Sequence, residues 1–248
     1  MGAEASHVRQ ELKAPAEPVM VIDRSFCRDH ISCMRIRQDA IAVPSRGGIY
    51  ELNVQDESFD PETRGKGTLL FNLTDQGAKS PSSRVLLDAN DVPVVYLHER
   101  NHAVMRGFMI TDDVDGYNEI CTIKRKHLTV DPVRVRFKDL TSGRMSVMGA
   151  SVLKTSHALM ALIWVDVGDT GTQLPVARMY FPTDYNKDRD VVNFMGAHHP
   201  GYADGYDEDY QLDIMPNVDV SMVVLIAAVT ARCTDPKRSE KKTPAAAS

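Results

Sequence analysis

The sequence predicts a mainly β protein, a closed antiparallel barrel of about a dozen strands around one apolar C-terminal helix. Many short apolar segments recur at short spacing along the chain with turn residues between them, which is typical of all-β sandwiches and barrels. Residues 220–229 are apolar almost all round, and a helix without a polar face has to be enclosed on every side. A barrel with this helix through its centre buries the helix and leaves no unpaired sheet edge.

The composition is that of one globular domain with a substantial core. The chain has 248 residues, of which 43% are hydrophobic and 25% charged. Its 29 basic and 34 acidic residues give a net charge of −5, which argues against a nucleic-acid partner because such proteins are usually basic. We expect a monomer with flexible tails at residues 1–18 and 234–248 and a barrel domain at 19–233.

The cysteines and the N-terminus favour a cytoplasmic protein. Four cysteines without a C-x-x-C pair are too few for a disulfide scaffold. The chain opens on the polar run MGAEASHVRQ, which is unlike a signal peptide. The longest apolar stretch, residues 218–231, would span about 21 Å as a helix, less than the ~30 Å of a bilayer core. It therefore predicts a core helix and not a transmembrane one.

Alternation and turn residues predict thirteen strands. Residues 133–138, Val-Arg-Val-Arg-Phe-Lys, alternate strictly between apolar and basic side chains, the pattern of a half-buried strand. Asp-, Asn- and Gly-rich runs such as 88–91 and 112–116 separate strands, because these residues tolerate left-handed turn conformations. The predicted strands are 19–23, 31–37, 49–54, 68–73, 84–87, 92–99, 104–110, 120–126, 133–138, 145–153, 158–165, 176–181 and 210–214.

The start of the helix is predicted from its capping residues. Asn217 follows Pro216 and is a good N-cap type. Asp219 would then lie in the first turn, where the helix dipole favours a carboxylate.

Three local segments carry a family resemblance. They are 84–100 (RVLLDANDVPVVYLHER), 175–178 (PVAR) and 210–229 (YQLDIMPNVDVSMVVLIAAV). Together with the layout of strands and helix, they resemble the LURP-one-related family, which belongs with the tubby C-terminal-like domains and the phospholipid scramblases. The resemblance covers roughly residues 19–233, although Asn217 stands where the family commonly has Gly.

The resemblance implies a closed antiparallel barrel around a central helix and says little about activity. The LURP-one-related group is linked to plant defence responses without an agreed biochemical activity. Tubby relatives bind phosphoinositides through basic surface residues, a motif that this chain does not match residue by residue. The palmitoylated cysteine cluster and the metal-binding segment of scramblases are not recognisable here.

A basic run in an acidic protein is the main candidate site. Residues 124–138, KRKHLTVDPVRVRFK, contain six basic residues and one Asp. Alternation sends Arg134, Arg136 and Lys138 to the outer face, and Lys124 and Lys126 share a face by the same rule. Arg125 then points inward or lies at a bulge. The run is interpreted either as a site for anionic phospholipid, including phosphoinositide, or as a solvated outer strand face.

The N-terminus carries a second candidate signal. Residues 1–6, MGAEAS, fit the N-myristoylation pattern, with Gly2 exposed after removal of Met1 and Ser6 at the required place. Chance agreement with so short a pattern is the alternative. One acyl chain needs a second signal for stable anchoring, and the basic run would supply it.

Metal and catalytic motifs do not support an enzyme. Asp113, Asp115 and Gly116 imitate part of a calcium loop, but Thr111 and Thr122 stand where its other ligands belong. The acidic loop 204–209 could bind calcium or be a solvated loop, and His198-His199 lacks a helical partner. No G-x-S-x-G, P-loop, G-x-G-x-x-G or H-E-x-x-H motif is present. We therefore assign no catalytic residue, cofactor or metal ligand.

The sequence thus predicts a non-enzymatic intracellular binding or adaptor module, peripheral at a membrane. The alternatives are a scramblase-like lipid-handling protein regulated by calcium, a hydrolase with an unrecognised site, and a module that binds only protein partners.

Overall fold

Twelve antiparallel strands close into a barrel in the part of the chain that the structure, a computed structural model, describes. The strands are β1 (Ser32–Ile36), β2 (Gly47–Glu51), β3 (Thr68–Thr74), β4 (Ser83–Asp88), β5 (Pro93–Asn101), β6 (Arg106–Thr111), β7 (Glu119–Arg125), β8 (Val133–Lys138), β9 (Met145–Lys154), β10 (Leu159–Asp166), β11 (Leu174–Tyr180) and β12 (Tyr210–Ile214). The described residues are 10–37, 47–51, 67–75, 83–101, 106–125, 131–154, 159–181 and 209–234.

The strands form a simple meander. Each pairs with its neighbours in sequence, and β1 also pairs with β12, Ser32 opposite Ile214, so that the sheet has no free edge. Even-numbered strands therefore all end at one end of the barrel. Twelve of the thirteen predicted strands are confirmed, because alternation and turn residues are local signals.

Helix α1 (Val220–Thr234) fills the barrel. Its residues 220–231 are all buried, and they pack with inward-facing side chains of the strands in one hydrophobic core. The predicted barrel around a central helix is confirmed. In the described part of the chain, no helix is both long and apolar enough to cross a bilayer.

The predicted N-cap at Asn217 is wrong. Asn217 has a φ of 63°, a left-handed conformation, whereas an N-cap residue is normally extended. Its backbone N–H donates to the Arg28 carbonyl and its side-chain amide to the Pro15 carbonyl. Asp219 is the cap instead, because its carboxylate accepts from the backbone N–H of Met222 at 3.2 Å.

The predicted strand at 19–23 is also wrong. Only Val19 forms a bridge, with Val218. The next N–H groups, of Val21 and Ile22, donate to the Asp219 carboxylate at 3.1 and 2.7 Å. The segment therefore crosses the barrel end at the start of α1. It does not form a strand, because the Asp219 side chain accepts the backbone hydrogen bonds that a neighbouring strand would have accepted.

The segment 10–18, assigned from the sequence to the N-terminal tail, is hydrogen-bonded to the barrel where it is described. The Lys13 N–H donates to the Pro175 carbonyl at 2.8 Å, and the Arg178 guanidinium to the Gln10 carbonyl at 2.7 Å. Residues 1–9 and 235–248 lie outside the described residues, and the domain boundaries stay a prediction.

Candidate anion-binding face

Four of the five predicted lipid-binding cations lie on one outer face of the barrel. Strand β8 alternates buried and exposed side chains as predicted, with Arg134, Arg136 and Lys138 exposed. In the pairing of β7 with β8, Lys124 lies directly opposite Arg134, and Lys124 is exposed. We call Lys124, Arg134, Arg136 and Lys138 the basic face. The fifth cation, Lys126, lies outside the described residues.

Arg134 lies over the ring of the protein's single tryptophan. Its guanidinium carbon lies 5.4 Å from the centroid of the Trp164 ring. Arg134 is paired with Gly149 of β9, and Gly149 is paired with Trp164 of β10. Because residues paired across neighbouring strands point to the same face of a sheet, the Trp164 side chain lies on the same face as Arg134. The indole crosses Gly149 so closely that a Cβ there would lie 2.6 Å from the ring. Although Trp164 lies on the outer wall, its exposed fraction is only 2%.

Hydrogen bonds fix the indole beneath Arg134. The indole Nε1–H donates to the Ser151 hydroxyl at 3.1 Å, and that hydroxyl donates to the Asp131 carboxylate. The orientation of Arg134 is therefore set by three neighbouring strands. Sequence reasoning missed this stack, since strand alternation does not show which distant residue covers an arginine.

Arg136 forms an ion pair with Asp169 in the loop after β10. The Arg136 and Asp169 side chains are 64% and 39% exposed, so this is a surface pair of the kind that contributes at most about 1 kcal/mol. The loop is shaped by Asp166, which accepts from the N–H groups of Thr170 and Gly171, each at 2.8 Å. The cation of Arg136 is thus accessible from solvent.

The register adds a cation that the sequence did not reveal. Lys124 is paired with Gly107 of β6, and Gly107 with Arg100 of β5. Arg100, Lys124 and Arg134 therefore lie in one lateral row of the outer wall. Arg100 lies 3.8 Å from the Glu119 carboxylate. Of the described carboxylates, none forms an ion pair with Lys124 or Lys138.

Arg125 points inward, the first of the two alternatives given above. Its Nε–H donates to Cys233 Sγ at 3.2 Å, and one guanidinium nitrogen lies 3.9 Å from the Glu99 carboxylate. The Arg125 side chain is 14% exposed. It belongs to the barrel interior near the end of α1, where a cation is favourable beside the helix C-terminus.

The remaining candidate loops have structural roles where they are described. Asp113 accepts from the N–H groups of Tyr117 and Asn118 at 3.2 and 2.6 Å, and the bond from Asn118 holds the pKa of the Asp113 carboxyl below its usual value. Asp209, the one described acidic residue of 204–209, lies 3.5 Å from Arg35 Nε. Among the described residues, no group of three or more His, Cys, Asp or Glu side chains is placed to hold a metal. Gly2 and His198-His199 lie outside them.

One hydroxyl–imidazole pair invites comparison with catalytic dyads. Ser83 Oγ lies 3.2 Å from His98 Nδ1, and Thr111 Oγ1 lies 3.0 Å from His98 Nε2. The Thr111 hydroxyl donates to the Asp113 carbonyl, so it accepts from Nε2–H and leaves Nδ1 to accept from Ser83. Ser83 is only 4% exposed. The contacts of His98 thus link β4, β5 and β6.

Together, these features define a class of protein: a closed antiparallel barrel filled by its own C-terminal helix, with a group of exposed cations on the outer wall. Comparison then gives the family. The LURP-one-related family model matches residues 51–231, and the chain belongs to that family. No curated protein matches. An X-ray structure of a protein from Arabidopsis thaliana is similar, at 16% identity and a TM-score of 0.49, over 88% of this chain and 99% of that one.

Proposed function

We propose that the protein is a non-enzymatic binding module that attaches to anionic membrane lipid, including phosphoinositide, through the basic face. The observation that carries the proposal is the placement of Lys124 directly opposite Arg134. Like charges directly opposite each other on paired strands destabilise a sheet. A phosphate oxygen between the two cations would relieve that repulsion.

The stack on Trp164 prepares Arg134 for an anion. Because the guanidinium already lies over the indole face, less side-chain freedom is lost when a phosphate binds to it. Lys124 contributes a flexible point charge beside it, and Lys138 contributes another at the end of β8. Each basic side chain near an anionic surface contributes about 1 kcal/mol of attraction, so Lys124 and Arg134 would supply about 2 kcal/mol. Arg136 adds less because it is already paired with Asp169.

Two observations favour binding over catalysis. Ser83 of the Ser83–His98 pair is only 4% exposed, which leaves a substrate little access to its hydroxyl. Burial raises the pKa of the Cys27, Cys33 and Cys121 thiols to about 12, so these thiols are not thiolates at neutral pH.

Gly2 would add the second attachment signal. A single myristoyl chain binds membranes only marginally, whereas an acyl chain together with a basic patch gives stable anchoring. The combination would hold the protein at the cytoplasmic surface of a membrane. The intact mass of the protein purified from eukaryotic cells tests this part, because acylation of Gly2 adds one myristoyl group and the Gly2→Ala variant would lack it.

Liposome co-sedimentation of paired charge variants tests the basic face. The double variant Lys124→Gln/Arg134→Gln removes two cations of the row. The double variant Lys13→Gln/Arg24→Gln removes two exposed cations that lie outside the basic face. We expect the first to weaken binding to anionic liposomes about 30-fold, from two contributions of about 1 kcal/mol each, and the second to change it less than about threefold. Equal losses in the two variants would contradict the assignment of the site.

A further inference from the structure

The exposed large hydrophobic side chains of the described residues share one end of the barrel. Even-numbered strands end there and α1 begins there. All of these side chains lie in or beside the turns of that end, except one that precedes β1. They are Ile31, Val92, Tyr117, Leu140, Met145 and Val167, with exposed fractions between 39% and 86%.

A cavity of about 580 Å³ opens among these turns. It lies between the N-terminal segment and the β4–β5, β6–β7 and β8–β9 turns. Its volume falls within the range of ligand sites, about 300–1,000 Å³. The apolar part of its wall includes Ile22, Phe26, Val92, Val94, Ile120 and Leu140. Val92 and Leu140 are 56% and 51% exposed, so the apolar surface continues from the cavity onto the rim.

The charges of the cavity are predominantly negative. Asp23, Asp88 and Asp112 line it, against Lys138 as the one cation among its described lining residues. Asp88 accepts from the N–H groups of Asn90 and Val92 through one oxygen, Oδ1, at 2.8 Å each. Within the described bonding, the other Asp88 oxygen can accept from a ligand.

We propose that this barrel end is a docking surface for a segment of a protein partner that carries bulky apolar side chains flanked by Lys or Arg. The apolar wall and its exposed rim need an apolar occupant, because water is displaced from both when it binds. The three carboxylates select a cationic neighbour and repel anionic lipid. This inference goes beyond attachment to membranes and does not depend on it. A module with both surfaces would join a basic partner segment to an anionic membrane.

Selection from a random peptide library tests the docking surface. Phage-displayed peptides are selected on the wild-type protein and then depleted on the double variant Val92→Ser/Leu140→Ser. We expect the surviving peptides to be enriched in Lys or Arg next to Leu, Ile, Phe or Trp. Survivors without that enrichment, or no survivors after depletion, would overturn the proposal.

Fluorescence anisotropy of a labelled surviving peptide then locates the site. We expect Val92→Ser/Leu140→Ser to weaken binding by about tenfold or more, as loss of central apolar contacts usually does. Asp23→Asn/Asp112→Asn should weaken binding and reduce its dependence on salt. Ile31→Ser is the matched control, since Ile31 is 55% exposed at the same barrel end but does not line the cavity. An equal loss with Ile31→Ser would contradict this location.

Discussion

Removal of the Asp219 carboxylate should destabilise the barrel more than removal of any single surface charge. Its oxygens accept from the N–H groups of Val21, Ile22 and Met222 and from the Ser221 hydroxyl. Asp219 itself has no exposed surface. In Asp219→Ala the three backbone donors lose their partner, and an unsatisfied buried donor costs about 1–3 kcal/mol. The lower bound for the two fully buried donors, Val21 and Met222, is about 2 kcal/mol, to which the half-buried Ile22 N–H adds. This is a substantial part of the 5–15 kcal/mol that stabilises a typical domain.

Urea unfolding measures this difference directly. Trp164 is the protein's single tryptophan, so its fluorescence reports the loss of the barrel wall without interference. Asp166→Ala is the matched control, because Asp166 also accepts three hydrogen bonds, all from the exposed residues Thr170 and Gly171 of its own loop. Water can replace that acceptor, and we expect a loss of about 1 kcal/mol. If Asp219→Ala cost no more than Asp166→Ala, the role of Asp219 in joining the N-terminal segment to α1 would be refuted.

Three further predictions concern the wall, the titration of Asp219 and the thiols. Gly149→Ala should displace the Trp164 ring, cost about 1–3 kcal/mol in the free energy of unfolding and shift the indole emission; an unchanged spectrum would contradict the crossing of the ring over Gly149. Burial raises the pKa of the Asp219 carboxyl above 3.8, against the opposing hydrogen bonds. The folded state therefore holds the Asp219 proton more tightly than the unfolded state does, so the free energy of unfolding of wild type, relative to that of Asp219→Asn, should fall as pH rises from below 3.8 through the folded-state pKa. Denaturant titrations in which this difference grows with pH would contradict the prediction. Burial raises the pKa of all four cysteine thiols. Iodoacetamide should therefore label them at mildly alkaline pH only after the protein is unfolded. Rapid labelling of the native protein would contradict this.

The strands and the central helix could be predicted because their signals are local. The alternation in 133–138 and the uniformly apolar 220–229 each determine which faces must be buried. The predictions failed where a side chain that is distant in sequence accepts hydrogen bonds from the backbone. Val21 and Ile22 donate to Asp219, which is 198 and 197 residues away in sequence, and a local pattern does not contain such a partner.

The candidate site could be predicted in part for the same reason. Alternation placed Arg134 on the outer face, but the stack on Trp164 depends on the register of β8, β9 and β10. The cation row through Arg100 depends in turn on two further strand pairings. The docking surface was not predicted at all, since it brings together turns that are far apart in sequence.

Co-sedimentation of the unacylated wild-type protein with liposomes, at low and at high salt, tests the central claim most directly. Neutral and anionic liposomes of the same size are compared, with about a fivefold range of salt around physiological strength. The account predicts sedimentation with anionic liposomes only, lost at high salt because the attraction is electrostatic. Absence of binding to anionic liposomes at low salt, or equal binding to neutral ones, would contradict it and reduce the basic face to a solvated outer strand.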